Sequence, residues 1–144
     1  MELTRKTLAA IPYLGLHGVD LLEAGDGAAR VRLPDRPELR NHVGTVHAGA
    51  LFTAAEAAGG VAAATTIDPG AVVLLREARV SYRAPGEGEV VAQGRVEGPA
   101  AESAREAYAR SRRGELQARV SVLDAAGTVL VDGTCDYAVR EARR

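Results

Sequence analysis

Tryptophan is absent from this chain, phenylalanine occurs once and tyrosine four times. A core with so few rings has to be filled by Ala, Val and Leu, which means small side chains and close backbone approach. Cysteine is nearly missing too. Cys135 stands alone, which excludes an intrachain disulfide and any metal site built on paired cysteines. No metal or resident cofactor is expected. Excess charge of either sign is also lacking, with 18 Lys and Arg against 19 Asp and Glu and a formal net charge of −1. A nucleic-acid partner, which calls for a clustered basic face, is therefore not expected. Basic residues gather only locally, at Arg110, Arg112 and Arg113 and at Arg140, Arg143 and Arg144. The simplest reading of these is a solvated face and a tail.

Long apolar runs are the last notable absence. The stretch MELTRKTLAAIPYLGL places no such run after its charges, so no signal peptide is expected and a cytoplasmic location is. Ala48 to Ile67 approaches the length of a membrane span, but it is rich in Ala and Gly and carries Glu56 at its centre. A central carboxylate costs several kcal/mol in a bilayer. The segment reads instead as a buried helix of a soluble protein, with no membrane partner.

What is present suits one domain over residues 1–144. The length is that of a single domain, 47% of the residues are apolar, and 26% are charged, which argues against disorder. Thr4 to Ile11 predicts a short helix, with Thr4 as its cap and Pro12 just beyond. Val19 to Ala24 and Ala28 to Leu33 flank Gly-Asp-Gly, a hairpin signal. Pro34 to Val46 reads as a loop, and Ala48 to Thr66 is the one segment long enough for a major helix. Its tandem Gly59-Gly60 costs about 1 kcal/mol per Gly relative to Ala, which is tolerable where something must approach the backbone closely. Beyond Pro69-Gly70 the pattern alternates. Val72, Leu74, Arg76, Ala78, Val80 and Tyr82 predict one face of a strand running to Pro85, and Val90 to Val96 predicts a second strand joined to it across Gly86-Glu87-Gly88, a second hairpin. Leu116 to Leu123 and Thr128 to Val139 predict a hairpin turning at Asp124 to Gly127. Ala101, Ala104, Ala107 and Tyr108 predict a short amphipathic helix within Ala100 to Arg113. The fold class is α+β, a mostly antiparallel sheet wrapped around one long helix.

The chemistry lies in Asn41 to Glu56. Glu56 is the only ionisable residue between His47 and Asp68. A solvent stripe would show polar residues at i±3, i±4 and i±7. Those positions hold Gly49, Phe52, Thr53, Gly59, Gly60 and Ala63, which favours a functional carboxylate over a surface one. Burial would raise its pKa toward the range of a general base. His47 alone reads as a loop or capping residue, Asn41 as a turn residue and Gly44 as loop geometry. The first turn of the helix, at Ala48 and Gly49, offers free backbone N–H groups at the positive end of the dipole, able to hold an oxyanion.

Asn41, Gly44, His47, Gly49 and Glu56 match N-x-x-G-x-x-H-[GA]-G-x6-[DE]. On this pattern the chain resembles the hotdog-fold acyl-CoA thioesterases, in particular the phenylacetate-degradation branch and the 4-hydroxybenzoyl-CoA thioesterase branch that uses Glu. Val80 to Val90 is similar to that family's strand, proline and turn. The resemblance spans roughly residues 12 to 139. It implies a curved antiparallel sheet around a central helix, with acyl-CoA as substrate and coenzyme A entering only as part of it. It also implies a homodimer or a dimer of dimers, with Glu56 facing a substrate that enters along the opposite subunit. Ala48 N–H would bind the thioester carbonyl, Glu56 would attack it or activate water, and Asn41 and His47 would orient water and thioester. Gly44 and Gly49 are the close-approach positions, and Arg83 and Arg113, with Arg110 and Arg112, are candidates for the phosphates of coenzyme A. The sequence departs from the family in three places. Ala48 stands where Gly is usual, Leu74 and Leu75 where many relatives carry Ser or Thr, and Ala100 to Arg113 where a tight hairpin is common.

Two other readings compete. His42, fourteen residues before Glu56, has the spacing of hotdog hydroxyacyl dehydratases, but the prolines those enzymes carry in between are missing. The vacant Ser/Thr position and Ala48 suit a non-catalytic acyl-CoA-binding hotdog protein. Thiol release from acyl-CoA separates both from a thioesterase.

Overall fold

The computed structural model describes residues 2–143, with side chains from residue 5 onward. Two short helices, α1 (Glu2–Ala9) and α2 (Pro12–His17), precede strands β1 (Asp20–Gly25) and β2 (Ala28–Leu33). After a loop with one 3-10 turn at Pro37–Leu39 comes α3 (Ala48–Ala64). Strands β3 (Ala71–Tyr82) and β4 (Val90–Arg95), helix α4 (Gly98–Ser111), and strands β5 (Arg113–Leu123) and β6 (Val129–Glu141) complete the chain. Thr4 falls inside α1 and not at its cap, and its side chain lies outside the described residues.

The six strands form one antiparallel sheet in the order β1-β2-β4-β5-β6-β3. It curves around α3, which packs on β2, β4 and β5. Eleven of the seventeen residues of α3 are buried, seven of them alanine, so helix and sheet come together with little side chain between them. Gly94 of β4 makes this possible, because a Cβ there would lie 2.3 Å from Ala58 O. The scarcity of rings thus has its counterpart in a helix seated almost backbone to backbone on its sheet. Around it Val31, Leu33, Val90, Val122, Leu130 and Val139 are essentially inaccessible, each contributing roughly 1.5–3 kcal/mol by leaving water.

The first and third expected hairpins, the long helix and the amphipathic helix are present, but β3 and β4 do not pair. β3 lies at the sheet edge on β6, and β4 lies between β2 and β5, so the Gly86-Glu87-Gly88 segment is a crossing connection and not a hairpin turn. In α4, Ala101, Ala104 and Tyr108 are buried, and Arg105 donates to Thr66 O at 3.0 Å, docking α4 on the end of α3. The single face expected for β3 is not present. Leu75 lies opposite Tyr137 and Glu77 opposite Asp136, so Arg76 is an extra residue in the ladder. One added residue reverses the alternation. Ala71 and Val73 pack on the core before the bulge, and Ala78 and Val80 after it. Val72 and Leu74 turn outward, 38% and 55% exposed. β3 is an edge strand, so its apolar side chains and unpaired backbone face outward together.

Candidate active site

His47 occupies the N-cap of α3, and its Nδ1 accepts from Gly49 N–H at 2.8 Å. Gly49 fits under the ring, since a Cβ would stand 3.2 Å from that nitrogen. One of the orphan donors of the first turn is thereby satisfied. The N–H of Ala48 donates to no group among the described residues, and Ala48 is exposed. The helix start therefore offers one free donor at its positive end.

Asn41 is consumed by its own loop. Its Oδ1 accepts from Val43 and Thr45 N–H at 3.0 and 3.1 Å, and its Nδ2 donates to Thr45 Oγ1 at 2.8 Å. Gly44, at φ +84°, supplies the left-handed step that this turn needs. The loop is tied to α3 by His47 N–H on Leu39 O, and to the segment after β3 by Val46 N–H on Gly86 O. Tyr82 adds a contact that the sequence reading missed, its hydroxyl donating to Ala48 O at 3.0 Å. Asn41, Gly44, His47, Ala48 and Gly49 thus form one rigid corner.

Glu56 stands apart from that corner, eight residues along the helix, about 12 Å at 1.5 Å per residue. Phe52, Glu56 and Gly60 form the half-buried stripe of α3, which is apolar except for the carboxylate. That stripe opens on a pocket of about 420 Å³ between α1, α2, α3 and β3. Leu8, Ile11 and Leu14 roof it, Val61 and Ala64 continue the helix side, and Val72, Val73 and Leu74 line it from β3, with Val72 and Leu74 at its exposed mouth.

The partner of Glu56 is Tyr137, from the middle of β6 and 1% exposed. Its hydroxyl lies 3.1 Å from Glu56 O and 3.3 Å from Oε1. The other carboxylate oxygen, Oε2, accepts from no group among the described residues. Burial raises the Glu56 pKa above the ordinary carboxylate range, and the Tyr137 hydrogen bond opposes that rise. Tyr137 is itself pushed well above the ordinary phenol, first by burial and then by the charge of Glu56, so it stays a donor throughout the working range of pH. Cys135, also on β6, is driven up to about 11, chiefly by burial. It is a protonated thiol with no nucleophilic character.

Tyr137 also accounts for Gly59-Gly60. A Cβ on Gly59 would stand 2.8 Å from the Tyr137 hydroxyl and 2.9 Å from Val120 Cγ1, whereas one on Gly60 would make ordinary contacts, the nearest at 3.6 Å from Glu56 Oε1. The tandem glycine was the one sequence signal that something approaches the helix here, but it did not say what.

The basic candidates are separated. Arg83 follows Tyr82 at the Ala48 end and pairs with Asp132 at 3.0 Å. Arg113 stands opposite Arg140, nine residues along β6 from the partner of Tyr82, about 30 Å away at strand rise. The guanidinium of Arg112 covers the Tyr108 ring at 5.4 Å. His42 is exposed and makes no hydrogen bond to Glu56 among the described residues. No three His, Cys, Asp or Glu among the described residues converge as metal ligands, and no described helix is long and apolar enough to cross a membrane.

The family model described as "Domain of unknown function (DUF4442)" matches residues 2–139, and the chain belongs to that family. A curated relative, "Putative esterase VNG_1336C" of Halobacterium salinarum, is 34% identical over 88 residues, 58% of each chain. Among solved structures, PA5026 of Pseudomonas aeruginosa, described as "Probable Thioesterase", aligns with a TM-score of 0.84 at 24% identity, covering 98% of this chain and 95% of that one. A thioesterase family protein from Silicibacter pomeroyi aligns at 0.76 and 20% identity, covering 96% of each. The fold is the hotdog fold, a curved antiparallel sheet around one long helix, which these structures share.

Proposed function

We propose that this DUF4442-family chain is a thioester hydrolase, acting on an acyl-CoA with Glu56 as nucleophile or general base. One observation carries the reading. The sole ionisable side chain of an apolar helix turns its carboxylate into an apolar pocket large enough for an acyl chain. Burial makes Glu56 a stronger base than an ordinary carboxylate. As general base it takes a proton from water, whose oxygen forms a bond to the thioester carbon. The resulting oxyanion rests on a backbone N–H such as that of Ala48. Collapse breaks the carbon–sulfur bond, and the proton passes from Glu56 to the departing thiolate.

The attacking water must touch the base and lie within about 3–3.5 Å of the thioester carbon, whose oxygen must lie about 3 Å from the oxyanion donor. Ala48 and Glu56 of one chain are about 12 Å apart along the helix, so we assign the two groups to facing copies in a homodimer. Two features support a second copy, the half-open stripe of α3 and the apolar edge of β3, where Leu74 and Leu75 are 55% and 40% exposed. Asn41, Gly44 and His47 then act by holding the helix start, with Gly49 giving the substrate room. Of the basic candidates, Arg83 is at the helix-start end, the better placed for coenzyme A phosphates, and Arg113 is remote from it.

Thiol release measured over a panel of acyl-CoAs of increasing chain length tests the reading. Turnover on apolar acyl groups is expected. Binding without thiol release would favour a non-catalytic acyl-CoA-binding protein. Interconversion of crotonyl and 3-hydroxyacyl thioesters would favour a dehydratase.

A further inference from the structure

We propose that Tyr137 is a positioning residue for Glu56, fixing the carboxylate in one orientation and keeping it ionised; this rests on the reading of Glu56 as the reacting group. The hydroxyl is buried and lies 3.1 Å from the Glu56 backbone carbonyl and 3.3 Å from Oε1. The other titratable group that faces it is the Cys135 thiol, two residues along β6, which burial holds protonated and uncharged. One donor therefore ties the side chain of Glu56 back to its own helix turn. Oε1 is held, and Oε2 is left to face the pocket and meet water or thioester. A glutamate has three side-chain torsions to immobilise, and among the described residues Tyr137 is the side chain that hydrogen-bonds its carboxylate. The hydroxyl reaches this place because Gly59 has no side chain. The positions where the family resemblance leads one to expect a Ser or Thr after the helix are Leu74 and Leu75, and both are exposed. In this chain the polar support of the carboxylate comes from β6, the strand beside β3, and not from β3 itself.

The device has a chemical consequence. A base in an apolar pocket is in danger of staying protonated, because burial disfavours its charge. A permanent donor on Oε1 works against that. Loss of the donor should make the carboxyl harder to ionise and freer to rotate.

The test is Tyr137→Phe, which removes a single buried oxygen, followed by titration of the Glu56 carboxyl carbon by NMR alongside the pH profile of kcat/KM. The Glu56 proton affinity is expected to rise about tenfold or more, as befits loss of a hydrogen bond to a charged group. The acid limb of the profile should move to higher pH by the same interval, with kcat reduced at the plateau and KM little changed. Replacement of Tyr137 by 3-fluorotyrosine, a stronger donor of nearly the same shape, should move the midpoint the other way and guards against a folding defect in the Phe variant. An unchanged Glu56 midpoint in both variants overturns the proposal. If the midpoints move as expected but no chain hydrolyses any acyl-CoA, the hydrolase reading falls and the Tyr137–Glu56 coupling stands.

Discussion

Glu56→Gln separates chemistry from architecture, because the same burial that makes the carboxylate reactive makes it costly. The amide keeps the shape of the side chain, and its oxygen can still accept from Tyr137, whose hydroxyl sits 3.3 Å from Oε1. Fold and oligomeric state should therefore survive. Turnover should not, since an amide neither takes a proton from water nor attacks a thioester. Loss of a general base is worth about 10²–10⁴ in rate, or roughly 3–5 kcal/mol of barrier. Stability should move in the opposite direction. The folded-state pKa of Glu56 is raised above its unfolded value, so the folded chain prefers the protonated acid. The associated stability is complete below the model value of 4.5 and is lost as pH climbs through the folded-state pKa. At pH 7 the wild-type chain carries that penalty and the Gln variant does not. Each tenfold in proton affinity corresponds to about 1.4 kcal/mol, or on the order of 3–5 °C in Tm for a chain of this length. The assay is acyl-CoA hydrolysis beside thermal melts at pH 4 and pH 7. The expected pattern is a dead enzyme that melts higher than wild type at pH 7 and level with it at pH 4. Near-normal turnover from a folded variant would remove Glu56 from the chemistry. A melting difference of equal size at both pH values would refute the burial argument.

Three further outcomes follow from named contacts. Gly59→Ala should cost about 1–3 kcal/mol by overpacking, because its methyl meets Tyr137 and Val120 below 3 Å. Gly60→Ala should be neutral or stabilising by up to about 1 kcal/mol, and denaturant melts that rank the two alike would contradict the packing described. Ile11→Trp, on the roof of the pocket, should move the preferred acyl chain to shorter lengths with Glu56-dependent turnover retained; an unchanged chain-length profile would show that the acyl group lies elsewhere. Leu75→Lys, at the exposed β3 edge, should weaken the dimer in sedimentation velocity; an unaffected dimer, or a wild-type chain that is monomeric at micromolar concentration, would rule out this edge.

The parts of the fold written in local pattern were legible in the sequence. The Gly-Asp-Gly hairpin, the 48–66 helix and the α4 spacing of Ala101, Ala104 and Tyr108 all depend on neighbours within a turn or a strand. The β3 face was misread because a bulge at Arg76 is decided by pairing with β6, and alternation alone cannot reveal one added residue. At the candidate site, the oddity of Glu56 was visible because an apolar helix has no use for a lone carboxylate. Tyr137 was invisible for the opposite reason. An inward tyrosine on an alternating strand looks like ordinary core, and its hydroxyl gains meaning only from a residue 81 positions away. Asn41 and His47 illustrate a third case. Their position was readable, but their hydrogen bonds are spent on the loop and the helix cap, which depends on how the loop closes and not on residue type.

The roof of the pocket and its reacting group belong to separate parts of the chain. Leu8, Ile11 and Leu14 come from two short helices that precede the sheet, while Glu56 and Tyr137 sit on the central helix and the longest strand. Substitutions at a roof position such as the exposed Ile11 can therefore reshape the cavity at a distance from the tight seat of α3 on β4 and β5. Under selection, diet and catalysis can drift independently in such a chain: a lineage could exchange one acyl group for another by rewriting its opening helices, and leave the carboxylate and its tyrosine untouched.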